Sequence, residues 1–323
     1  TLLQPFTPRN IYAAASNYIE HANEMGTILA AKAESAPYVF MKAASSVIGP
    51  EQPIILPAAS TKVDWEVELA AVIGKRTKMV ALTHMSNVLG TVVPIKEIAR
   101  IAHARGALVF VDGAQAAVHM PVDVQDLGCD FYVLTGHKLY GPSGIGVLWG
   151  KYDLLAEMPP FNGGGEMIRD VRKEGFTTNE VPWKFEAGTP AIAESVGLGA
   201  AVEWLEGVGM AEIAEHERRL TEYALAALQD RFGDDITIYG PATAEGRGSA
   251  ISFLFRDIHA HDISQVLDED AVCVRAGHHC AKPLMRVLGV PATTRASFAM
   301  FNDTDDIDAL VIALAKAQSF FAI

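Results

Sequence analysis

Four short apolar runs, set off by one amphipathic stretch and by glycine-rich or polar loops, constrain the fold of this chain most strongly. Met79-Val80-Ala81-Leu82-Thr83, Ala107-Leu108-Val109-Phe110-Val111, Asp130-Phe131-Tyr132-Val133-Leu134 and Gly144-Ile145-Gly146-Val147-Leu148-Trp149 each read as a strand. The second is uniformly apolar, as a strand is when helices cover both faces of a parallel sheet. Between the first two, Pro94 opens a helix to Arg105 with Ile95, Ile98, Ile101 and Ala102 on one face, and Gly106 ends it. This order predicts an α/β sheet. Ligands of such sheets gather at the carboxyl ends of the strands. Asp112 and the Thr135–Lys138 loop follow such ends.

Beyond these runs, Gly163 to Gly188 reads as loops, and Pro190–Leu205 and Met210–Phe232 as long helices. Ile236–Tyr239, Ala250–Phe255, Ala271–Arg275 and Ala296–Phe298 read as short strands, with helices over 261–269, 281–288 and 304–320. The pattern predicts three units: 1–76, a large domain over 77–220, and a small α/β domain over 221–323. A net charge of −13 argues against a general nucleic-acid binder, which needs a basic face. No apolar run reaches the ~18 residues of a membrane span, and no basic-then-apolar leader opens the sequence. Three cysteines, Cys129, Cys273 and Cys280, with no CxxC pair, suit a reducing compartment such as the cytoplasm.

Three residue groups carry chemistry. Lys138 lies between Gly136 and Gly141, in what reads as a tight, partly buried loop, with His137 as a phosphate ligand. A surface lysine at a strand end is the plainer alternative. Asp112, before Gly113-Ala114-Gln115, suits an acid that holds a pyridine nitrogen protonated, with Gln115 donating to a ring hydroxyl. It equally suits a helix cap. Cys280 stands after His278 and His279, with Arg275 five residues earlier, and nearby cations raise the thiolate fraction of a cysteine. A His-His-Cys metal site is the competing reading, but three ligands so close in sequence need a fourth from elsewhere. Cys273 and Cys129 read as packing residues. An imine-forming lysine, an acid and an activated thiol are what a pyridoxal phosphate (PLP) enzyme that attacks sulfur requires.

Several strings carry a family resemblance. They are Thr83-His84-Met85-Ser86-Asn87-Val88-Leu89-Gly90-Thr91, Val111-Asp112-Gly113-Ala114-Gln115, Gly136-His137-Lys138-Leu139-Tyr140-Gly141-Pro142, Gly163-Gly164-Gly165-Glu166-Met167-Ile168, Phe185-Glu186-Ala187-Gly188-Thr189-Pro190, Arg275-Ala276-Gly277-His278-His279-Cys280-Ala281 and Arg295-Ala296-Ser297-Phe298. From Thr77 onward the chain resembles the class V aminotransferase family, and within it the group II cysteine desulfurases and selenocysteine lyases. The resemblance implies PLP-dependent fold type I, with an incomplete large-domain sheet and a small C-terminal α/β domain. It implies Lys138 as the Schiff-base lysine, Asp112 on the pyridine nitrogen and Gln115 on the ring oxygen. Thr135 and His137 hold the phosphate, and Thr189 reaches that of a neighbouring subunit, hence a homodimer. Asn87, Arg275, His278 and Arg295 bind substrate, Arg295 through its carboxylate. Cys280 takes sulfur from L-cysteine, or selenium from selenocysteine, as a persulfide for an acceptor protein, with iron–sulfur cluster assembly as one destination. The family's Thr-Thr phosphate turn and ring-stacking histidine have no match here, and His84 is no substitute. That implies weakened PLP binding and slow turnover.

Residues 9–76 resemble something different. Asn17-Tyr18-Ile19-Glu20-His21-Ala22-Asn23-Glu24-Met25-Gly26, Phe40-Met41-Lys42 with Ser45-Ser46-Val47-Ile48-Gly49-Pro50, and Val63-Asp64-Trp65-Glu66-Val67-Glu68-Leu69 resemble the β-rich fumarylacetoacetate hydrolase family. Glu66 and Glu68 fall on one side of a strand and suit a Mg²⁺ or Mn²⁺ ion, one ligand short of a full site. His21 and Glu24 share a helix face and suit a water-activating pair. Solvated surface is the plain alternative for both pairs. The reading is then a chimera: a hydrolase fragment ahead of a partial desulfurase. Its alternatives are a metal-dependent hydrolase or decarboxylase, and an inactive PLP-fold remnant.

Overall fold

The computed structural model describes residues 77–321 and, as backbone, the antiparallel strand pair β1 (Ile11–Ala15) and β2 (Tyr38–Lys42). The expected helix Asn17–Ala33, the strand around Glu66 and Glu68, and the His21–Glu24 pair lie outside the described residues.

The first sheet holds β3 (Met79–Thr83), β4 (Leu108–Asp112), β5 (Phe131–Thr135) and β6 (Gly146–Gly150), in that order. The first three are parallel and β6 is antiparallel to β5. Helix α1 (Ile95–His103) connects β3 to β4 and buries Ile95, Ala99 and Ala102, spaced to fall on one face. With Val80, Leu82, Val109 and Val111 they form one core. The expectation that helices cover both faces fails at β6, where Val147 and Leu148 are 45% and 48% exposed. An antiparallel edge strand needs no crossover helix, so none arises from this connection to cover it.

Two short helices, α2 (Ala116–His119) and α3 (Val124–Leu127), fill the β4–β5 link. Asp123 caps α3 through the Gln125 and Asp126 amides. After β6 come α4 (Tyr152–Glu157) and a hairpin, β7 (Ile168–Arg172) with β8 (Gly175–Thr178). The Gly163–Gly188 stretch is therefore not all loop. Both strands are exposed almost throughout, including the cross-strand pair Val171 and Phe176, so the hairpin forms with little core signal.

Helices α5 (Ile192–Val208) and α6 (Met210–Phe232) follow. The expected boundary at 220/221 falls inside α6. A second sheet, wholly antiparallel, runs β11 (Arg275–Gly277), β12 (Thr293–Ser297), β10 (Ala250–Phe255), β9 (Ile236–Tyr239). It packs with α6, α7 (Ala260–Asp268) and α9 (Thr304–Phe320) around Phe253, Phe255, Ile263, Ile307 and Leu314. Helix α8 (Lys282–Leu288) follows the cysteine loop. The expected strand Ala271–Arg275 is corrected: pairing starts only at Arg275, and Cys273 is exposed rather than packed in a strand.

The two sheets meet at the segment after β3. Gly248 N–H donates to Gly90 O at 2.7 Å, Val92 N–H to Gly246 O at 2.8 Å, and Ser252 Oγ to Val88 O at 2.7 Å. These bonds seat residues 85–92 on β10 and carry Asn87 to the second sheet.

Candidate active site

Parallel register sets Thr83 beside Asp112 and Asp112 beside Val133, so three strands end at one edge. The Asp112 side chain is exposed there, and its Oδ1 accepts a hydrogen bond from Ala114 N–H at 2.9 Å. One carboxylate oxygen thus performs the turn-capping role, which leaves Oδ2 for a ligand. Gly113 is required by packing: a Cβ there would lie 2.0 Å from the Tyr132 ring. Tyr132 in turn holds buried His84, its hydroxyl 3.1 Å from Nδ1.

The lysine loop closes on itself. Gly136 O accepts from Leu139 N–H at 3.0 Å and from Gly141 N–H at 2.9 Å, and Gly136 N–H donates to Ile145 O at 2.9 Å. A Cβ on Gly136 would meet Ile145 and Pro142 at 2.9 Å. Thr135 Oγ1 and His137 Nδ1 are hydrogen-bonded at 2.8 Å. The expectation of partial burial is corrected: Lys138 and His137 are exposed, because the Gly136-centred closure leaves them at the loop tip.

The cysteine loop is anchored from both sides. Asn87 Nδ2 donates to His279 O at 2.9 Å, and Arg295 Nη1 donates to Asn87 O at 2.7 Å. Arg275 pairs with Arg295 across β11–β12. His279 and Cys280 both adopt the left-handed region, with φ of 52° and 66°. Two such non-glycine residues in succession are costly and mark a turn fixed by its surroundings. The turn exposes Cys280 and buries His279, whose Nε2 lies 2.9 Å from Thr293 Oγ1. Burial, with Arg295 and Arg275 nearby, pushes the His279 imidazole down to about 4. The expectation that His279 serves Cys280 as a cation is therefore corrected: near neutral pH its ring is uncharged. His278 is half-buried, with a buried Nδ1.

A cavity of about 130 Å³ opens among Asn87, Gln115, His119, Ser249, Arg295 and Ser297. It gathers three expected residues, Asn87, Gln115 and Arg295. Asp112, Thr135, His137, Lys138, Arg275, His278 and Cys280 are not in its wall, and Thr189 is exposed on the segment before α5. His119 was not anticipated. The available signal was its position at the end of a short helix whose N-cap, four residues earlier, is Gln115. Among the described residues no group of three His, Cys, Asp or Glu side chains is placed to hold a metal, and Glu66 and Glu68 fall outside them.

Residues 7–310 match the model of the aminotransferase class-V family. A "probable cysteine desulfurase" of Halalkalibacterium halodurans is 53% identical over 249 residues, covering 77% of this chain and 60% of that protein. Among solved structures, the cysteine desulfurase CsdA of Escherichia coli matches with a TM-score of 0.71 and 43% identity, over 76% of this chain and 60% of that one. A C-DES mutant with glycine covalently linked to its PLP cofactor matches with a TM-score of 0.67 and 27% identity, over 80% and 66%. The chain thus spans about 60% of the length of the curated relatives it matches. The class-V match begins ahead of residue 9 and ends past residue 300, and nothing in these comparisons supports a hydrolase-like segment over 9–76. With parallel strands feeding one ligand edge and a family match over most of its residues, the chain belongs to the class-V aminotransferase family.

Proposed function

We propose that this chain is part of a PLP-dependent cysteine desulfurase that moves sulfur from L-cysteine to Cys280. One observation carries the reading: the turn that exposes Cys280 is tied through His279 O to Asn87, whose own carbonyl holds Arg295. The cysteine turn and Arg295 are thereby tied to one residue of the segment after β3, and Arg295 shares a cavity with Gln115 of the Asp112 turn. The residues present fit PLP. Asp112 Oδ2 suits the pyridine nitrogen, Gln115 the ring oxygen, Thr135 and His137 the phosphate, and Lys138 the aldehyde carbon. Asn87 Oδ1 and His278 Nδ1 are buried without a hydrogen-bond partner among the described residues, as expected of groups that meet a polar ligand. When bound, PLP supplies an electron sink for bond changes at the substrate's α and β carbons.

The chain's residues do the rest. Arg295 and Asn87 orient the substrate by its carboxylate, with Arg275 and His278 at the same edge. Lys138 moves protons at Nζ. Cys280 Sγ, as the thiolate, bonds to the substrate sulfur; the Cβ–S bond breaks and its electron pair stays with carbon. That carbon takes up a proton and leaves as alanine, and Cys280 keeps a persulfide for an acceptor protein. Thr189 reaches the phosphate held by a second copy of the chain, which makes the working unit a homodimer. Unpaired cysteines suit a cytoplasmic setting, and no helix among the described residues is long and apolar enough to cross a membrane.

Mass spectrometry after exposure of the PLP-loaded chain to L-cysteine tests this. One added sulfur is expected on Cys280, and Cys280→Ser should lose it while keeping PLP. Borohydride should link PLP to the chain but not to Lys138→Ala. A persulfide on Cys129 or Cys273, or equal labelling of Lys138→Ala, would overturn the assignment.

A further inference from the structure

Glu217 on α6 is 3% exposed, and its Oε2 accepts a hydrogen bond from His119 Nδ1 at 2.8 Å. Its other oxygen, Oε1, and Thr221 Oγ1 one turn further along have no hydrogen-bond partner among the described residues. A buried carboxylate held by a single imidazole is a poor stability device, because desolvation costs more than one contact returns. Packing alone would favour an apolar side chain there. The carboxylate is aimed at His119, and His119 lines the cavity that also holds Asn87, Gln115 and Arg295.

The Glu217 oxygen engages Nδ1, which leaves Nε2, the ring's other nitrogen, for the cavity that His119 lines. Among the described residues no acidic side chain lines that cavity, whereas Arg295 and His119 both do. About 130 Å³ suits a small polar group rather than a bulky side chain. We propose that Glu217 and His119 complete the carboxylate-recognising wall of this cavity: Glu217 positions the imidazole, and His119 with Arg295 selects an α-amino acid by its carboxylate end. Either ring nitrogen can carry a donor hydrogen, so one imidazole can bridge Glu217 and a ligand carboxylate. The inference rests on the reading that this site takes an amino acid on PLP.

The test uses the full chain loaded with PLP. Its cofactor absorbance is followed while L-alanine, or alaninamide as the analogue without a carboxylate, is titrated in, and each variant's melting temperature and PLP affinity are read in parallel. His119→Ala should weaken L-alanine binding about tenfold or more, the effect of one hydrogen bond to a charged group. Alaninamide binding and PLP affinity should stay as in the unmodified chain, while the melting temperature falls because buried Glu217 loses its hydrogen bond from Nδ1. Glu217→Ala should repeat that selective loss, and Glu217→Gln, whose carbonyl still accepts from Nδ1, should restore most of it. If Glu217→Ala does not fold, His119→Ala and Glu217→Gln decide the matter. Equal losses for both ligands, or an unchanged preference for L-alanine, would overturn this inference alone. An unmodified chain that binds neither PLP nor L-alanine would overturn the proposed function and this inference with it.

Discussion

Asn87 and His279 stand 192 positions apart and are joined by a 2.9 Å hydrogen bond from the Asn87 amide to the His279 carbonyl. That bond spans the two sheets and fixes the turn next to Cys280. Since His279 and Cys280 hold left-handed backbone, the turn relaxes once an anchor is lost. Asn87→Ala should cost about 1–3 kcal/mol, mostly local. It should also raise the amide exchange of residues 278–281 and change the rate at which a thiol reagent modifies Cys280. Unchanged exchange in that loop would show that the turn is held elsewhere.

The buried histidines set an acid limit. Burial pushes His84 down to about 4, and burial with Arg295 and Arg275 does the same to His279. The unfolded chain accepts protons on both rings below about pH 6.5, and the folded chain refuses them until about pH 4. The unfolded state therefore binds more protons in this window, so stability is full above it and falls as pH drops through it. Each ring contributes at most ~3 kcal/mol. Urea unfolding between pH 7.5 and 4.5 should show a loss approaching two protons in slope near pH 5. His84→Phe should remove about one of them. A flat profile would mean that the rings are hydrated in the folded chain.

Arg247 pins the join between the sheets, and among the described residues no carboxylate pairs with it. Its guanidinium is buried and donates to Tyr239 O at 2.9 Å, Ala250 O at 3.1 Å and Pro241 O. Burial lowers it to about 10. The backbone of Thr91 bridges to Arg247 itself. Arg247→Met keeps the stem but strands three carbonyls, and should cost about 3–5 kcal/mol in denaturant unfolding. Arg247→Lys should recover only part, since an ammonium lacks the planar fork. A loss below about 1 kcal/mol would mean that water replaces the guanidinium.

Elements with a regular apolar pattern between clear breaks were legible from sequence. Met79–Thr83, Ile236–Tyr239 and Ala250–Phe255 have the ends their side chains predict, as does Met210–Phe232. What failed needed tertiary knowledge. The antiparallel direction of Gly146–Gly150 is set by a short turn and not by its apolar content. Val272 and Val274 read as strand but pack against the small-domain core from an unpaired stretch. In the site, Asn87 and Arg295 were named only through the family resemblance, and Gln115 through its place after Asp112-Gly113-Ala114; the cavity brings the three together. The inward turn of His279 was hidden because neighbours in sequence face opposite ways. The His119–Glu217 pair was hidden because its members lie 98 positions apart.

Gly113 gives the sharpest test of the strand edge. The space its Cβ would need is taken by Tyr132, with ring atoms at 2.0 and 2.1 Å and the hydroxyl at 2.2 Å. Tyr132 is buried and bonded to His84, so it cannot swing away without leaving two buried polar groups unpaired. Gly113→Ala should therefore cost about 3 kcal/mol or more, combining overpacking with a lost buried hydrogen bond. Under the proposed function it should also weaken PLP binding, because the displaced turn carries Asp112 and Gln115. Tyr132→Leu makes room at a cost of its own, and adding Gly113→Ala to it should then cost under about 1 kcal/mol, a strongly non-additive cycle. Additive losses would show that the strain lies in the Gly113 backbone and not against the Tyr132 ring.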